Sequence, residues 1–382
     1  MIDYRCLLSS CAALDDASTL RIFKLVLKAT SRLFFFCATN PFESLKDDAD
    51  LLLLSSHNRQ DLLEDLDVWC ALTHKSIHRV HIRFNEQIGG YFPGLEQWSR
   101  AKVMVSQARA HLGFELGALG ELFLYLRALE ACKYFGQLRR NRFRETAVVC
   151  SHMEMQLYEN IVVQVAKLNG CRTFAMQHGF YSNDGAKISA SVVNPVNYLA
   201  SVAHTFLVWG SETVCEVRPY IGCEFAIVGK PASIVKGRSE LEAARHVGTL
   251  VLLDSKINHF MNQELLEKVF RESGSDEAIY VITHPDDDTH YPGDYCTVDH
   301  NEVNPDKVIG LNSSALIQYG VAGYRVLCHS GSRLLKGANS SVSGTTSSNE
   351  LVLVNDIPHA YWRQFIHCSA AESVHKLDVQ VA

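Results

Sequence analysis

The stretch TAVVCSHMEMQLYENIVVQVAKLNGCRTFAMQHG, residues 146–179, decides how this chain is read. It opens on an apolar strand that ends in the polar Ser151-His152-Met153-Glu154. A helix pattern follows over QLYENIVVQVAKLNG and stops at Gly170, the residue type that closes helices most readily. A second apolar run, Thr173 to Met176, then ends on Gln177-His178-Gly179. Strand, helix and strand with these lengths form a parallel βαβ unit.

Working outward, the same rhythm continues. HTFLVWGSETVCEVRPYIG repeats it with a strand over Thr205 to Val208, and EFAIVGKP adds another short strand and turn. The polar segment ASIVKGRSELEAARHVG, residues 232–248, reads as a connector. A second alternating series starts at TLVLLDSK and runs through AIYVITHP, KVIGLN, SSALIQYGVAG and RVLCHS to ELVLVND. Upstream, Leu51 to Leu54 reads as a buried strand, and residues 95–135 as one long helical region with apolar positions recurring at three and four. The expected class is therefore α/β: two Rossmann-like domains facing across a cleft, divided as 1–234 and 245–382, the first with a helical N-terminal region. In open α/β sheets ligands bind beyond the carboxyl ends of the strands, so the polar residues there are the candidates.

Composition narrows the classes. A net charge of −6 argues against a nucleic-acid-binding protein, which needs a basic field. The 12 cysteines include no C-x-x-C pair, so neither a disulfide scaffold nor a zinc site is expected. MIDYRCLLSS does not read as a signal peptide, and LFFFCA and LLLL are too short to span a bilayer. A cytoplasmic protein with peripheral membrane contact at most is expected. The basic run holding Lys133, Arg139, Arg140, Arg142 and Arg144 is the candidate for that contact, with a solvated helix end as the plainer reading.

Four strand ends carry chemistry. After Gln177, Gly179 suggests a tight turn that projects His178, whose near-neutral pKa suits a general base. Glu154 is placed to orient that histidine, to bind a sugar hydroxyl, or merely to begin a helix. In the second series, Pro285 stops strand pairing and fixes the backbone after His284. Ser313 and Ser314 stand where a strand becomes a helix, where free N–H groups and the helix dipole favour a phosphate; an ordinary N-cap explains Ser313 as well. Asp254 and Lys256 follow the first strand of the second series, Lys256 as a phosphate partner and Asp254 as an aid to chemistry, or both as a plain turn. Asp286, Asp287 and Asp288 read as an exposed loop rather than a metal motif, and no metal or cofactor is expected.

The ordered set Q-H-G, W-G, V-G-K-P, H-P and S-S-A resembles the bacterial GT-B glycosyltransferases of surface-polysaccharide assembly, the capsule and lipopolysaccharide Kdo and sialic acid transferases in particular. It is similar in outline to the glycerol-phosphate polymerases of wall teichoic acid synthesis. The match covers residues 146–330. QHGF stands where the capsule Kdo transferases have EDGF. The resemblance implies a nucleotide-sugar donor, a CMP-sugar being favoured, and a glycan or glycolipid acceptor on a surface polysaccharide or lipopolysaccharide. It implies His178 as the acid/base group and His284, Ser313 and Ser314 as the residues that hold the donor's phosphate on the second domain. Their positions beside these residues add Glu154 and Asp254 to the catalytic candidates, Pro285 and Lys256 to the donor site, and Gln177, Tyr181 and Asp184 to the acceptor site on the first domain. The alternatives are a CDP-glycerol or CDP-ribitol phosphotransferase, a sugar-nucleotide epimerase, and a non-catalytic assembly scaffold.

Overall fold

Parallel strands joined by helices build two separate sheets. The computed structural model describes residues 2–14, 17–42, 49–56, 60–73, 75–86, 91–140, 148–152, 154–181, 187–188, 195–231, 248–255, 258–274, 277–284, 287–300, 302–329, 332, 334, 353–354, 362–363, 365–366 and 370–381. Two compact units result: Met1–Val208 with Thr213–Pro231 and Ala371–Ala382, and Trp209–Glu212 with Ala232–Ala370. The connector expected over 232–248 lies outside the described residues apart from Gly248.

In the first unit the order is α1 (Leu8–Ala12), α2 (Thr19–Phe35), β1 (Phe36–Ala38), β2 (Leu51–Ser55), α3 (Gln60–Leu72), β3 (Ile77–His81), β4 (Phe84–Glu86), α4 (Leu95–Arg109) and α5 (Ala118–Leu138). Then come β5 (Val148–Ser151), α6 (Leu157–Leu168), β6 (Arg172–Met176), α7 (Pro195–Leu199), β7 (Thr205–Val208), α8 (Ser211–Val217) and β8 (Glu224–Ile227). The sheet runs β3-β2-β5-β6-β7-β8, every pair parallel. β2 is buried at all five positions, which is why it reads as an unbroken apolar run. Its side chains still alternate between two cores. Leu52 and Leu54 join Val149 under the helical layer that includes α5 and α6, whereas Leu51 and Leu53 meet Leu66 and Trp69 of α3.

The helical region read as continuous is broken. Residues 110–117 leave the helix, where His111 O and Gly113 N–H bond to Ile188 N–H and O at 2.8 and 2.9 Å. α5 restarts after Gly117. Two glycines in that turn lower the cost of leaving the helix.

The second unit holds β9 (Thr249–Leu252), α9 (His259–Glu272), β10 (Ile279–Ile282), β11 (Cys296–Thr297), β12 (Lys307–Gly310), α10 (Ser314–Val321), β13 (Arg325–His329) and β14 (Leu353–Val354). Its sheet runs β11-β10-β9-β12-β13-β14, parallel except for β14. Numbered within the unit, that order is 3-2-1-4-5-6, the Rossmann arrangement.

The sequence pattern places the whole C-terminus, to residue 382, in the second domain. Instead α11 (Ala370–Val381) packs in the first unit. Val374 and Leu377 share a core with Leu66 and Trp69. Asp378 accepts hydrogen bonds from Trp69 Nε1 at 3.0 Å and Thr73 Oγ1 at 2.5 Å. The pairing joins positions about 300 apart, which no local pattern encodes.

Candidate active site

In the first unit, His152 and His178 follow neighbouring strands. His152 N–H donates to Leu54 O at 3.2 Å, and Gln177 N–H to Leu207 O at 2.9 Å. Each bond carries strand pairing one residue beyond its strand and fixes the backbone from which the histidine projects. The two rings lie edge to face with centroids 6.0 Å apart. His152 is fully buried and His178 half-buried.

The His178 ring is held by Tyr181, whose Oη lies 2.9 Å from Nδ1 and accepts the His178 backbone N–H at 3.4 Å. Tyr181 is 1% exposed and stacks on Phe206. Burial raises the phenol's pKa, partly offset by the bond from the His178 N–H and reinforced by the Glu154 charge, so the hydroxyl stays protonated. Tyr181, expected to touch an acceptor, is therefore placed under the histidine. Gln177 is buried too, and its Nε2 donates to Gly179 O at 2.8 Å. That bond closes the turn with a side chain. Gly179 is not among the positive-φ glycines, and a Cβ there would meet nothing, so the freedom of glycine is not what the turn uses.

Glu154 is buried, and its two oxygens face the loop after α7. Oε2 accepts from Ser201 Oγ and Oε1 from Val202 N–H, both at 2.7 Å. Burial pushes its pKa up to about 7 despite these donors. The carboxylate is thus committed to anchoring that loop. A second buried carboxylate escaped the sequence reading. Glu159, in the first turn of α6, accepts from Ser56 N–H at 2.7 Å, Ser56 Oγ at 2.5 Å and Ser151 Oγ at 2.5 Å. It ties together the ends of β2 and β5, where the winding of the sheet reverses. A glutamate in a helix's first turn usually signals a favourable dipole contact, which hid this role.

The corresponding reversal in the second unit lies between β9 and β12. Asp254 follows β9, and Asn312 and Ser313 follow β12. Asp254 Oδ2 accepts from Asn312 Nδ2 at 3.2 Å and Asn258 Nδ2 at 2.9 Å, while Oδ1 accepts from Ser255 N–H at 2.8 Å. Ser313 caps α10, its Oγ accepting Ala315 N–H at 3.2 Å. The N-cap reading of Ser313 is the one observed, and a capping hydroxyl keeps its own proton for donation. Ser314 is the first residue of α10.

His284 lies past the end of β10, on the opposite side of β9 from β12. Its carbonyl accepts Asp287 N–H at 2.8 Å. Asp287 is buried, unlike the exposed loop acid expected. Burial would raise its pKa, but bonds from Thr289 and Tyr291 outweigh that and hold it low. The structure thus gathers Asp254, Asn312 and Ser313 and sets His284 one strand away. Asp184, Lys256, Pro285 and Asp286 lie outside the described residues.

Lys133 does not belong to a surface basic patch. Its Nζ reaches the carbonyls of Leu33 and Phe36 at 2.8 and 2.6 Å and of Arg32 at 3.3 Å, closing the C-terminus of α2. Arg142 and Arg144 lie outside the described residues. Among the described residues no group of His, Cys, Asp or Glu is placed to hold a metal ion, and no helix is long and apolar enough to cross a membrane.

No family model matches the sequence, and no curated protein does. Solved structures similar in fold include the UDP-GlcNAc 2-epimerase of Methanocaldococcus jannaschii, at 11% identity and a TM-score of 0.45 over 86% of this chain and 98% of that one. The wall teichoic acid polymerase TagF gives 10% and 0.37 over 81% and 78%. Trehalose-6-phosphate synthase OtsA gives 9% and 0.38 over 87% and 95%. By its own strand order the chain is an α/β protein of two Rossmann-like units.

Proposed function

We propose that the chain is a GT-B glycosyltransferase that moves a sugar from a nucleotide-activated donor, a CMP-sugar being favoured, to a surface-polysaccharide or lipopolysaccharide acceptor. The observation that supports this best is the second unit's strand order, with Asp254, Asn312 and Ser313 at its reversal point, where Rossmann sheets take nucleotides. The donor phosphate would receive hydrogen bonds from the Ser313 and Ser314 hydroxyls and the start of α10, with His284 as a further donor.

His178 is the proposed base. The acceptor oxygen forms a bond to the anomeric carbon while the bond from that carbon to the phosphate oxygen breaks. The nucleotide leaves with the electron pair, and the acceptor's proton passes to His178. For Nε2 to accept that proton, Nδ1 must carry hydrogen and donate to Tyr181 Oη, 2.9 Å away. Tyr181 then plays the orienting part that a third group plays behind many catalytic bases. The acceptor is a glycan or glycolipid presented at a membrane's inner face.

Thermal shifts with CMP, CDP, UDP and GDP test the donor site. A nucleotide at one hundred times its Kd stabilises the fold by about 2.7 kcal/mol. One of the four is expected to raise the melting temperature of the wild type, and Ser313→Ala with Ser314→Ala to weaken that response. No shift with any of them, or an undiminished shift in the double variant, counts against this site. Donor consumption then separates the rivals: a transferase needs acceptor for sugar transfer, an epimerase does not, and a scaffold consumes none.

A further inference from the structure

α2 carries two stripes on its outer side. Leu20, Phe23 and Leu27, spaced three and four apart, are 64%, 48% and 54% exposed, while Val26, Ala29 and Leu33 on the inner side are buried in the core. Beside the apolar stripe stand Arg21, Lys24, Lys28 and Arg32 at the same helical spacing. The helix holds no acidic residue although the chain as a whole is negative by six charges. A solvated helix face has no use for three large exposed apolar side chains in register.

The cationic stripe borders a cavity of about 210 Å³ lined by Ser9, Ser10, Lys28, Arg32, Arg127 and Gln156, among others. Arg127 donates to Ser10 Oγ at 3.2 Å and pairs with Glu130. Arg32 lies over the Phe84 ring at 4.2 Å, an arrangement that leaves guanidinium N–H groups at the edge. Three cations face one carboxylate. Their mutual repulsion shows in Lys28, whose pKa is lowered first by Arg32 and then by burial and Arg127. The cavity is several times the roughly 30 Å³ share of a water molecule, and serine, glutamine and guanidinium donors line it. Those are the groups that bind a phosphate.

We infer that the outer face of α2 docks on an anionic phospholipid bilayer, with Leu20, Phe23 and Leu27 in the interfacial layer and a lipid phosphate held by Lys28, Arg32 and Arg127. Charge complementarity selects this occupant: an acid-free helix with four cations and an apolar stripe is the composition that binds anionic membranes in plane. The inference gives a surface to the membrane contact of the reading above. Its readout is lipid binding rather than turnover, so either stands or falls without the other.

Co-sedimentation of the full chain with phosphatidylglycerol/phosphatidylcholine vesicles, against pure phosphatidylcholine, tests it. Binding to the anionic vesicles, weakened by salt, is expected. Lys24→Ser with Lys28→Ser should reduce the partition coefficient roughly twenty-five-fold, from the usual contribution of each basic side chain near such a surface. Leu20→Ser with Leu27→Ser should reduce it too, and all four side chains are exposed, so unchanged melting temperatures confirm intact folds. Equal binding to neutral vesicles, no binding to anionic ones, or full binding by both variants overturns the inference. So does a wild-type chain that ignores vesicles yet is stabilised by inorganic phosphate, which would make the cavity a soluble-anion site. Self-association abolished by Leu20→Ser and Leu27→Ser, without lipid binding, would assign the stripe to a second copy.

Discussion

At the scale of single residues, the His178–Tyr181 pair carries the sharpest prediction. His178→Ala is expected to lower turnover about 10²–10⁴-fold, the range for a general base, with nucleotide affinity unchanged. A His178→Gln enzyme with near-normal turnover would remove the base assignment. Tyr181→Phe keeps the buried ring and deletes the hydroxyl 2.9 Å from Nδ1. It should lower kcat and displace the acid limb of the pH profile with little change in KM, and an unaltered profile would leave Tyr181 a packing residue only. Glu154 gives a separate prediction. Its pKa of about 7 stands above the usual 4.5, so the folded chain keeps that proton longer than the unfolded one. Stability from this group is then lost as pH rises from about 4.5 to about 7. Glu154→Gln should flatten that part of the melting-temperature profile, and an identical slope in the variant would show that another group sets it. The place of His178 just past the end of β6 was legible because an apolar run that stops at polar residues marks where a strand ends. The roles of Tyr181 and Glu154 were not, since burial and bonding partners are set by chain segments far from each residue.

At the scale of elements, the strands and their ends were legible because apolar runs and their helical partners differ in period. The break between α4 and α5 was not, because it depends on an exchange of backbone bonds with Ile188. The VGKP turn after β8 is another case. It looked like a site motif, and it contains a buried ion pair: Lys230 Nζ donates to Asp65 Oδ1 of α3 at 2.7 Å, with side chains 8% and 5% exposed. Gly229, at φ 85°, supplies the left-handed turn that aims the lysine. Breaking such a pair leaves a buried charge, so Asp65→Ala or Lys230→Ala is expected to cost about 3–5 kcal/mol in denaturant titrations. The joint replacement Asp65→Leu with Lys230→Met should recover much of it. Single variants as stable as wild type would mean that the pair's neighbours supply adequate substitutes.

At the scale of the whole molecule, the class and the alternation of two sheets were legible, and the return of α11 to the first unit was not. Ending the chain at residue 369 removes Val374 and Leu377 from the Trp69 core and leaves the indole N–H without Asp378. Losing those two buried side chains should cost about 3–6 kcal/mol and shift Trp69 fluorescence to the red, whereas an unchanged melting curve would show α11 to be dispensable. The same arrangement bears on biosynthesis. A ribosome makes α3 first and α11 some three hundred residues later, so the outer core of the first unit stays unfinished while the entire second unit emerges. During that interval Trp69 and Leu66 remain open to chaperones, and a message truncated anywhere in the second half yields a first unit that lacks its closing helix.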